Sequence, residues 1–579
     1  MFARCNAWQA PVSHRVPNRE PLSILLGAVT PSFSFPSYTP VLLGSIAILH
    51  AELLSVARLI LILCVKRERS IMNRFAARWF LLLFPSLFPA SVWGQTPPPR
   101  VEPASARSGE KVASVAPAPQ HLFGAVPLST QSEEARRLLE LAVDNYENAI
   151  YRDSAVLARR AAEKDPQSAL AYAMLSFASR RIMPDTVALA KAKSLLPHAT
   201  PDEQLLVRWM TSIQDRDLLP AISSMNDLLK HYPHDKHVLY MTAEWLYLQQ
   251  DDDRARSMME AALQIDPKFP AALNRLGYVY IGSGTPDPAK AIASLKRYAE
   301  VEPSSPNPQD SLGEVSRMAG DDSASLEHYT AALKIDPKYL PSQEGLGGTR
   351  TLMGDFSNAR KEYDRAIQLS DNPLDELDAK CQQALIFFWE SRADEGRKAL
   401  AAVAEEAAGK KEPNAQFEIA IAQAMLAADS RDELTRLSTL SVFLEKPLAG
   451  MNEADRDISR AIVLRERARI ASLAGLTGDA SEAVAQLKDL TISSRDLVVE
   501  NAYESARGYL LFHQGELSGA ADKLAADPHS PLALQQLASI QEKLGNAAAA
   551  QSTRTLLKYQ RGPTVEWFLV THQDPGTSH

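Results

Sequence analysis

The chain is poor in cysteine, in aromatic residues and in excess basic charge. Three cysteines in 579 residues exclude a disulfide scaffold and any zinc site built from four cysteines of one chain. Aromatic residues make up 7% of the sequence, so the core must be built mainly from small aliphatic side chains. Lysine and arginine number 62 against 70 aspartates and glutamates, a net charge of −8, which leaves no basic excess for nucleic-acid phosphates.

Motifs of catalysis and nucleotide binding are missing as well. The sequence has no Walker-type phosphate loop, no H-E-x-x-H, no G-x-S-x-G and no C-x-x-C. We therefore expect a protein that is not an enzyme, with no cofactor and no small-molecule substrate.

Residues 72–94 have the order of elements found in a secretory signal peptide. Arg74 and Arg78 form a basic start, residues 80–88 are a short apolar stretch, and cleavage is expected after Gly94. The apolar stretch is too short to cross a bilayer, which requires about 20 apolar residues. The pattern predicts export, and thus a periplasmic or secreted protein.

Residues 1–71 leave two interpretations open. Residues 41–65 are a mostly apolar run followed by basic residues, which is typical of a transmembrane helix and would make the protein membrane-anchored. Alternatively, translation begins at Met72 and the preceding residues are not part of the protein. We favour the second interpretation, because a membrane anchor directly before a complete signal peptide is redundant.

A repeat of about 34 residues runs through the middle of the chain. The nonamer at residues 261–269 recurs with small changes at residues 331–339. Successive units end in prolines spaced 34, 36 and 34 residues apart, namely Pro233, Pro267, Pro303 and Pro337. A period of this length, punctuated in this way, resembles the tetratricopeptide repeat, in which each unit is a pair of antiparallel helices.

The residue types inside each unit agree with the resemblance. In the unit that begins at Pro270, Leu276 and Gly277 fall in the first helix, and Ala291 and Leu295 in the second. Small residues let the two helices approach closely, and a large residue fills the space between them. The same types recur in the next two units, at Leu312, Gly313 and Tyr329, and then at Leu346, Gly347 and Tyr363.

The resemblance implies an all-α fold, a right-handed superhelix (α-solenoid) of antiparallel helix pairs. Residues 95–129, rich in proline, alanine and serine, are expected to form a linker between the signal peptide and this array. We expect an N-terminal array at residues 130–373, divergent helical repeats at 374–465, C-terminal repeats at 466–560 and a tail at 561–579. Each unit is expected to bury its surface only on its neighbours, which leaves no single catalytic cleft.

In this family, defined positions of each first helix line a concave groove that holds an extended peptide or a helix. Carried onto this sequence, those positions are His237, Tyr240, Glu244, Tyr247, Asn274, Tyr278, Ile281, Asp310, Glu314, Arg317 and Glu344. Three tyrosines and four carboxylates would favour a basic or apolar protein segment. Ordinary packing of the tyrosines between units is an alternative of equal weight.

One polar cluster has residue types that could bind a transition metal: His231, His234, Asp235 and His237. These residues surround Pro233 at a junction between units, where polar side chains cap helices. Ligands split across a proline turn are seldom arranged in advance, so we expect no metal site.

We interpret the chain as a non-enzymatic scaffold or adaptor of the bacterial cell envelope that binds a protein or peptide. The alternative is a membrane-tethered sensor or adaptor anchored by residues 41–65, and only then would a membrane be a partner. A repeat-bearing enzyme such as a glycosyltransferase is least favoured, because residues 1–129 and those after Gln560 are too short for an α/β catalytic domain. Nucleic acid is not expected as a partner.

Overall fold

The computed structural model describes residues 126–180 and 185–572. The predicted signal peptide at 72–94, the apolar run at 41–65 and most of the predicted linker lie outside these ranges. Within them all regular structure is helical and no strand occurs, so the predicted all-α class is confirmed. No helix in these ranges combines the length and apolarity that a membrane span requires.

The described part of the chain contains 25 α-helices, and the first 24 form twelve consecutive antiparallel pairs, called units 1 to 12. Units 1 to 4 are α1 (Glu133–Glu147) with α2 (Tyr151–Lys164), α3 (Ala169–Ser179) with α4 (Thr186–Leu195), α5 (Pro201–Gln214) with α6 (Leu218–His231), and α7 (Lys236–Leu248) with α8 (Asp252–Ile265). A short 3-10 helix, Leu196–His198, follows α4.

Units 5 to 8 are α9 (Pro270–Gly282) with α10 (Pro288–Val301), α11 (Asn307–Ala319) with α12 (Asp322–Ile335), α13 (Leu340–Leu352) with α14 (Phe356–Leu369), and α15 (Pro373–Trp389) with α16 (Ala393–Lys410). Units 9 to 12 are α17 (Pro413–Met425) with α18 (Ser430–Glu445), α19 (Glu453–Leu473) with α20 (Thr477–Ser494), α21 (Leu497–His513) with α22 (Leu517–Leu524), and α23 (Pro531–Lys543) with α24 (Ala547–Lys558). A final helix, α25 (Val565–His572), lies within the predicted tail.

The recurring Asp-Pro-Lys sequence forms the turn between units. Asp266 ends α8, and its Oδ1 accepts a hydrogen bond at 3.0 Å from the backbone N–H of Lys268. Asp336 ends α12 and accepts the equivalent bond from Lys338 at 2.9 Å. Aspartate favours this local bond, and the proline that follows cannot continue the helix. The nonamer is therefore the C-terminal end of a second helix together with its turn.

Contacts between the two helices of a unit follow the predicted pairing of small with large residues. A Cβ added at Gly277 would lie 2.6 Å from Cγ of Leu295. In the next unit, a Cβ at Gly313 would lie 2.8 Å from Cδ1 of Tyr329. Since real Cβ atoms do not come this close to other carbons, glycine is required where the large residue of the second helix crosses the first.

Tyr329 also contacts the following unit, and this gives a stability prediction. A Cβ at Gly345 would lie 2.3 Å from Cζ of Tyr329, and overpacking of this kind costs about 1–3 kcal/mol. We expect Gly345→Ala to lower the urea midpoint followed by circular dichroism. Gly409→Ala is the matched control, because Gly409 lies in α16 with open space around it. The control should raise stability by up to about 1 kcal/mol through helix propensity alone. A stability gain at both positions would contradict the prediction.

Units far apart in sequence also touch. Arg216, between α5 and α6, donates from Nη2 to Asp457 Oδ2 at 2.5 Å across 241 residues. Asn501 of α21 donates to the Gln250 side chain at 2.5 Å across 251 residues. Units 3 and 4 thus contact units 10 and 11 directly. The expectation that units pack only on their neighbours is therefore wrong, and the early and late units stabilise one another directly.

Candidate functional site

The eleven predicted groove residues lie on the first helices of units 4 to 7. His237, Tyr240, Glu244 and Tyr247 are on α7; Asn274, Tyr278 and Ile281 are on α9; Asp310, Glu314 and Arg317 are on α11; Glu344 is on α13. Neighbouring first helices pack side by side along this stretch. The structure therefore brings the predicted residues together on one series of adjacent helices.

These residues are much less accessible than an open groove would make them. Six are buried, with exposed fractions of at most 8%: Tyr240, Glu244, Ile281, Asp310, Glu314 and Glu344. The other five are half-buried: His237, Tyr247, Asn274, Tyr278 and Arg317. Without rearrangement, a ligand could reach the half-buried members alone.

Part of the burial comes from unit 1, which reaches across to unit 4. His237 Nδ1 lies 2.9 Å from Oε1 of Glu147, at the end of α1. The hydroxyl of Tyr240 donates to the backbone oxygen of Glu147 at 3.0 Å. Burial raises the pKa of Glu147. Burial also acts to lower the pKa of His237, but the Glu147 carboxylate outweighs it and the pKa is raised.

A buried ion pair links α7 to α9. Arg275 donates to Glu244 through two bonds, Nε to Oε2 at 2.7 Å and Nη2 to Oε1 at 2.9 Å. Its guanidinium also lies 4.9 Å from the ring centre of Tyr247. The bidentate geometry satisfies both ions inside the protein. Arg275 was not among the predicted residues, since an arginine beside a groove position is usually solvated. The sequence feature that could have pointed to its burial is its position directly before Leu276, in the packed part of the first helix.

Acidic groups continue along α11. The Ser342 hydroxyl donates to Asp310 Oδ1 at 2.6 Å, and burial raises the pKa of Asp310 to about 7. The Tyr278 hydroxyl donates to Glu314 at 3.0 Å, and Arg317 lies 3.4 Å from the same carboxylate. The predicted groove therefore has an interior in which carboxylates are held by hydroxyls and by a few arginines.

Three of the four residues of the metal candidate have separate partners. His231 Nδ1 lies 2.9 Å from Asp202 Oδ1, whereas His237 faces Glu147. Asp235 caps α7 by accepting from the backbone N–H of His237 and Val238. Across the described ranges no group of three or more histidine, cysteine or carboxylate side chains has the arrangement of a metal site.

A second charge cluster, which sequence reasoning missed, lies in units 9 to 12. Arg465 Nη1 lies 3.2 Å from Asp527, and its Nη2 lies 3.5 Å from Glu566 on α25. Arg469 contacts Glu466 at 2.6 Å and Glu433 at 3.3 Å. We call these six residues the α19 cluster: Arg465, Glu466, Arg469, Glu433, Asp527 and Glu566. All six are buried.

The α19 cluster holds two arginines and four carboxyl groups. Burial raises the pKa of Glu433 and of Glu566 to about 7. Burial acts to raise the pKa of Glu466 too, but Arg469 and Arg465 outweigh it and the pKa is lowered. Two of the carboxyls are thus driven toward their neutral forms, which brings the charge of the cluster close to balance.

Beside this cluster, first helices and the tail line a partly open, mainly apolar cavity of ≈ 50 Å³, which Asp378, Gln382 and Glu418 also border. Its walls come from α15, α17, α19 and α25, and include Cys381, Leu385, Phe417, Ile421 and Val565. Nothing in the sequence pattern indicated this cavity, because one wall belongs to the short tail helix.

Comparisons with known proteins agree with the geometry. No family model matches the chain. Over 183 residues the sequence is 26% identical to human tetratricopeptide repeat protein 7B, covering 30% of this chain and 21% of that protein. Together with the helix pairs and the small-to-large packing, this match makes the chain similar to tetratricopeptide repeat proteins.

Two solved structures that the chain matches are the MamA protein and yeast Tom70. The MamA match has 22% identity and a TM-score of 0.25, and it covers 30% of this chain and 93% of that one. The Tom70 match has 13% identity and a TM-score of 0.37, and it covers 73% of this chain and 96% of that one. Since this chain spans about a fifth of the length of protein 7B, the activity of that whole protein does not carry over.

Proposed function

We propose that this protein is a non-enzymatic scaffold that binds a protein partner in the bacterial cell envelope. The observation that carries the proposal is the series of twelve helix pairs in the described residues, in which the first helices of units 4 to 11 pack side by side and share a long surface. Arrays of this type use such surfaces to bind other proteins. The signal-peptide pattern of residues 72–94 supports export.

The ligand we propose for units 4 to 7 is a basic segment with apolar side chains. The interior there contains Glu244, Asp310, Glu314 and Glu344, against Arg275 and Arg317. Asp310 is buried and its ionisation is thereby disfavoured, so a lysine or arginine that reaches it when the interior rearranges would be attracted to a carboxylate with little other compensation. The half-buried rings of Tyr247 and Tyr278 supply apolar contact at low entropy cost.

A matched pair of peptides tests the ligand class. We expect a labelled 15-residue peptide of alternating lysine and leucine to bind the exported protein, and its glutamate–leucine counterpart not to bind, in fluorescence anisotropy. Glu314→Gln should weaken binding of the basic peptide about tenfold, equivalent to about 1.4 kcal/mol. The control, Glu395→Gln, alters an exposed carboxylate on α16 and should change nothing. Equal binding of both peptides, or equal loss in both variants, would reject this ligand class.

The envelope location has its own test. N-terminal sequencing of the native protein should give Gln95 as the first residue, in the soluble envelope fraction. An intact Met1 in the membrane fraction would instead favour the adaptor anchored by residues 41–65.

A further inference from the structure

The tail helix α25 packs across the first helices of distant units. Val565 and Leu569 are buried, with exposed fractions of 6% and 1%. They belong to one apolar cluster with Leu385 of α15, Phe417 of α17, Val463 of α19 and Leu532 of α23. A helix that only covered the end of the array would rest on unit 12. This one reaches unit 8, four units earlier.

Specific contacts hold α25 along its length. Near its start, Glu566 faces Arg465 of α19 at 3.5 Å. Near its end, the Gln535 side chain of α23 donates to the backbone oxygen of Val570 at 3.0 Å. Because a polar side chain makes a hydrogen bond to the backbone of α25, the helix is held by a specific polar contact as well as by apolar packing.

Aromatic rings flank the same apolar face of α25. The Phe568 ring lies edge-on to Trp389 of α15, with centroids 5.3 Å apart, and 6.1 Å from the ring of Phe388. His572, one turn later, stacks on Phe568 at 4.3 Å. Two apolar side chains four residues apart thus pack into the surface formed by the first helices. An aromatic residue between them covers the edge of this contact.

The segment before α25 ties it to units 6 and 7. Arg561 makes two bonds to Asp322 of α12, at 2.6 and 2.8 Å, and a third to the backbone oxygen of Arg317 at 3.0 Å. Pro563 lies where a Cβ at Gly348 would come within 2.7 Å of its Cγ. Thr564 then caps the helix by accepting from the backbone N–H of Trp567 at 3.0 Å. The connection is anchored at both ends and holds the helix at the surface.

The fit between α25 and this surface is nevertheless incomplete. The ≈ 50 Å³ cavity lies between Val565 and Glu566 on one side and α15, α17 and α19 on the other. The apolar side chains that line this partly open space lose packing contacts there. In addition, the eight described residues of α25 are too few to form a stable helix on their own. A longer helix with a larger side chain at the place of Val565 would fill the cavity and bind more strongly.

We propose that the first helices of units 8 to 12 form a helix-binding groove, occupied in cis by α25 and open to a partner protein's amphipathic helix. That helix would carry apolar side chains four residues apart, with a carboxyl or amide group after the first of them to face Arg465. These are the places of Val565, Leu569 and Glu566. The inference rests on the proposed function only in that the partner is a protein; it concerns a different surface from the acidic interior of units 4 to 7.

The test uses the full chain and one buried thiol. Cys381 lines the cavity beside Val565 and Glu566, so its alkylation by N-ethylmaleimide, read by peptide mass spectrometry, reports whether α25 is seated. Leu569→Asp should weaken the seating and raise the alkylation rate at least tenfold. Phe568→Ala, which removes only a half-buried ring, should raise it less. Val187→Asp alters an apolar residue that is 79% exposed on α4 and should leave the rate unchanged.

Binding in trans is measured with a labelled synthetic peptide of residues 559–579. The Leu569→Asp chain should bind this peptide at least tenfold more tightly than the wild-type chain, and the bound peptide should return Cys381 alkylation to the wild-type rate. A peptide that itself carries Leu569→Asp should do neither. A variant with retained helical circular dichroism but unchanged alkylation and no peptide binding would overturn the proposal.

Two further measurements distinguish this proposal from the proposed basic ligand of units 4 to 7 and from self-association. The lysine–leucine peptide should bind the Leu569→Asp chain as it binds the wild-type chain. If it binds neither while the α25 peptide binds the variant, the proposed ligand class fails and the α25 groove stands. Light scattering of the wild-type protein should show a monomer; a dimer lost in Leu569→Asp would assign the groove to a second copy and overturn the proposal of a different partner.

Discussion

Replacing Arg465 by methionine is expected to lower the free energy of unfolding by about 3–5 kcal/mol, the usual cost of breaking a buried ion pair from one side. Arg465 is 6% exposed and faces Glu466, Asp527 and Glu566. Methionine keeps an unbranched apolar side chain but removes the guanidinium, which leaves these carboxyls with Arg469 as the cluster's remaining cation. Urea denaturation followed by circular dichroism measures the loss.

Arg507→Met is the matched control for this prediction. Arg507 lies on α21, pairs with Glu504 one turn earlier, and is 37% exposed, so the pair contributes less than about 1 kcal/mol. A similar loss in both variants would mean that burial of the α19 cluster is not what matters. We also expect the Arg465→Met deficit to shrink at pH 5.5, because the carboxyls left behind can then take up protons.

The contrast between Arg465 and Gly277 shows which features a repeat sequence reveals. Gly277 and Leu295 could be assigned because their contact lies within one unit, where a fixed spacing brings the same two residue types together each time. Such periodicity determines what happens inside a unit and between neighbours. The helix pairs, the turns after Asp266 and the fold were therefore predictable.

Contacts between distant units were not predictable in this way. Arg216 meets Asp457 across 241 residues, and no local pattern in either segment points to the other. Part of the burial of the predicted groove residues has the same origin, since Glu147 of unit 1 covers His237 and Tyr240 of unit 4. Position within a unit gave no information on what would cover these residues.

Unit 8 shows why residues 374–465 departed from the repeat pattern. There the large residue is on the first helix and the small one on the second: a Cβ at Gly396 of α16 would lie 2.4 Å from the Phe388 ring of α15. The packing rule is kept while the two roles are exchanged, so a template with fixed positions does not match. Phe388 is also one of the rings against which α25 packs. The large residue on the first helix of unit 8 therefore contacts both Gly396 and the tail helix.

Lowering the pH from 8 to 5.5 is expected to stabilise the protein. Burial raises the pKa of Asp310, Glu433 and Glu566 to about 7, above the value of about 4 in an unfolded chain. The folded state therefore holds these protons more tightly, so the stabilisation is complete below the unfolded pKa and is lost as pH rises through the folded pKa. For one carboxyl with these values, the change between pH 8 and 5.5 is about 2 kcal/mol.

Other titratable groups limit the pH range over which acidification stabilises the protein. Burial acts to lower the pKa of His529, but Asp252 outweighs it and the pKa is raised, so His529 also stabilises the protein at the acidic end. The pKa of Glu376 is lowered by hydrogen bonds from Lys380 and Lys410, so the contribution of Glu376 is lost as pH falls through its folded pKa. Maximum stability is therefore expected on the acidic side of neutrality, above the folded pKa of Glu376.

Asp310→Asn identifies one source of the pH dependence. An asparagine oxygen can still accept the bond that the Ser342 hydroxyl donates to Asp310, but the residue no longer titrates. We expect the variant to exceed the wild type in urea midpoint at pH 8, and to lose about 2 kcal/mol of the gain on acidification. Asp253→Asn, at a carboxylate that is 78% exposed, should keep the full gain. A wild-type midpoint that falls from pH 8 to 5.5, or an Asp310→Asn gain equal to that of wild type, would mean that the interior carboxyls are ionised in the folded protein and held by their arginines alone.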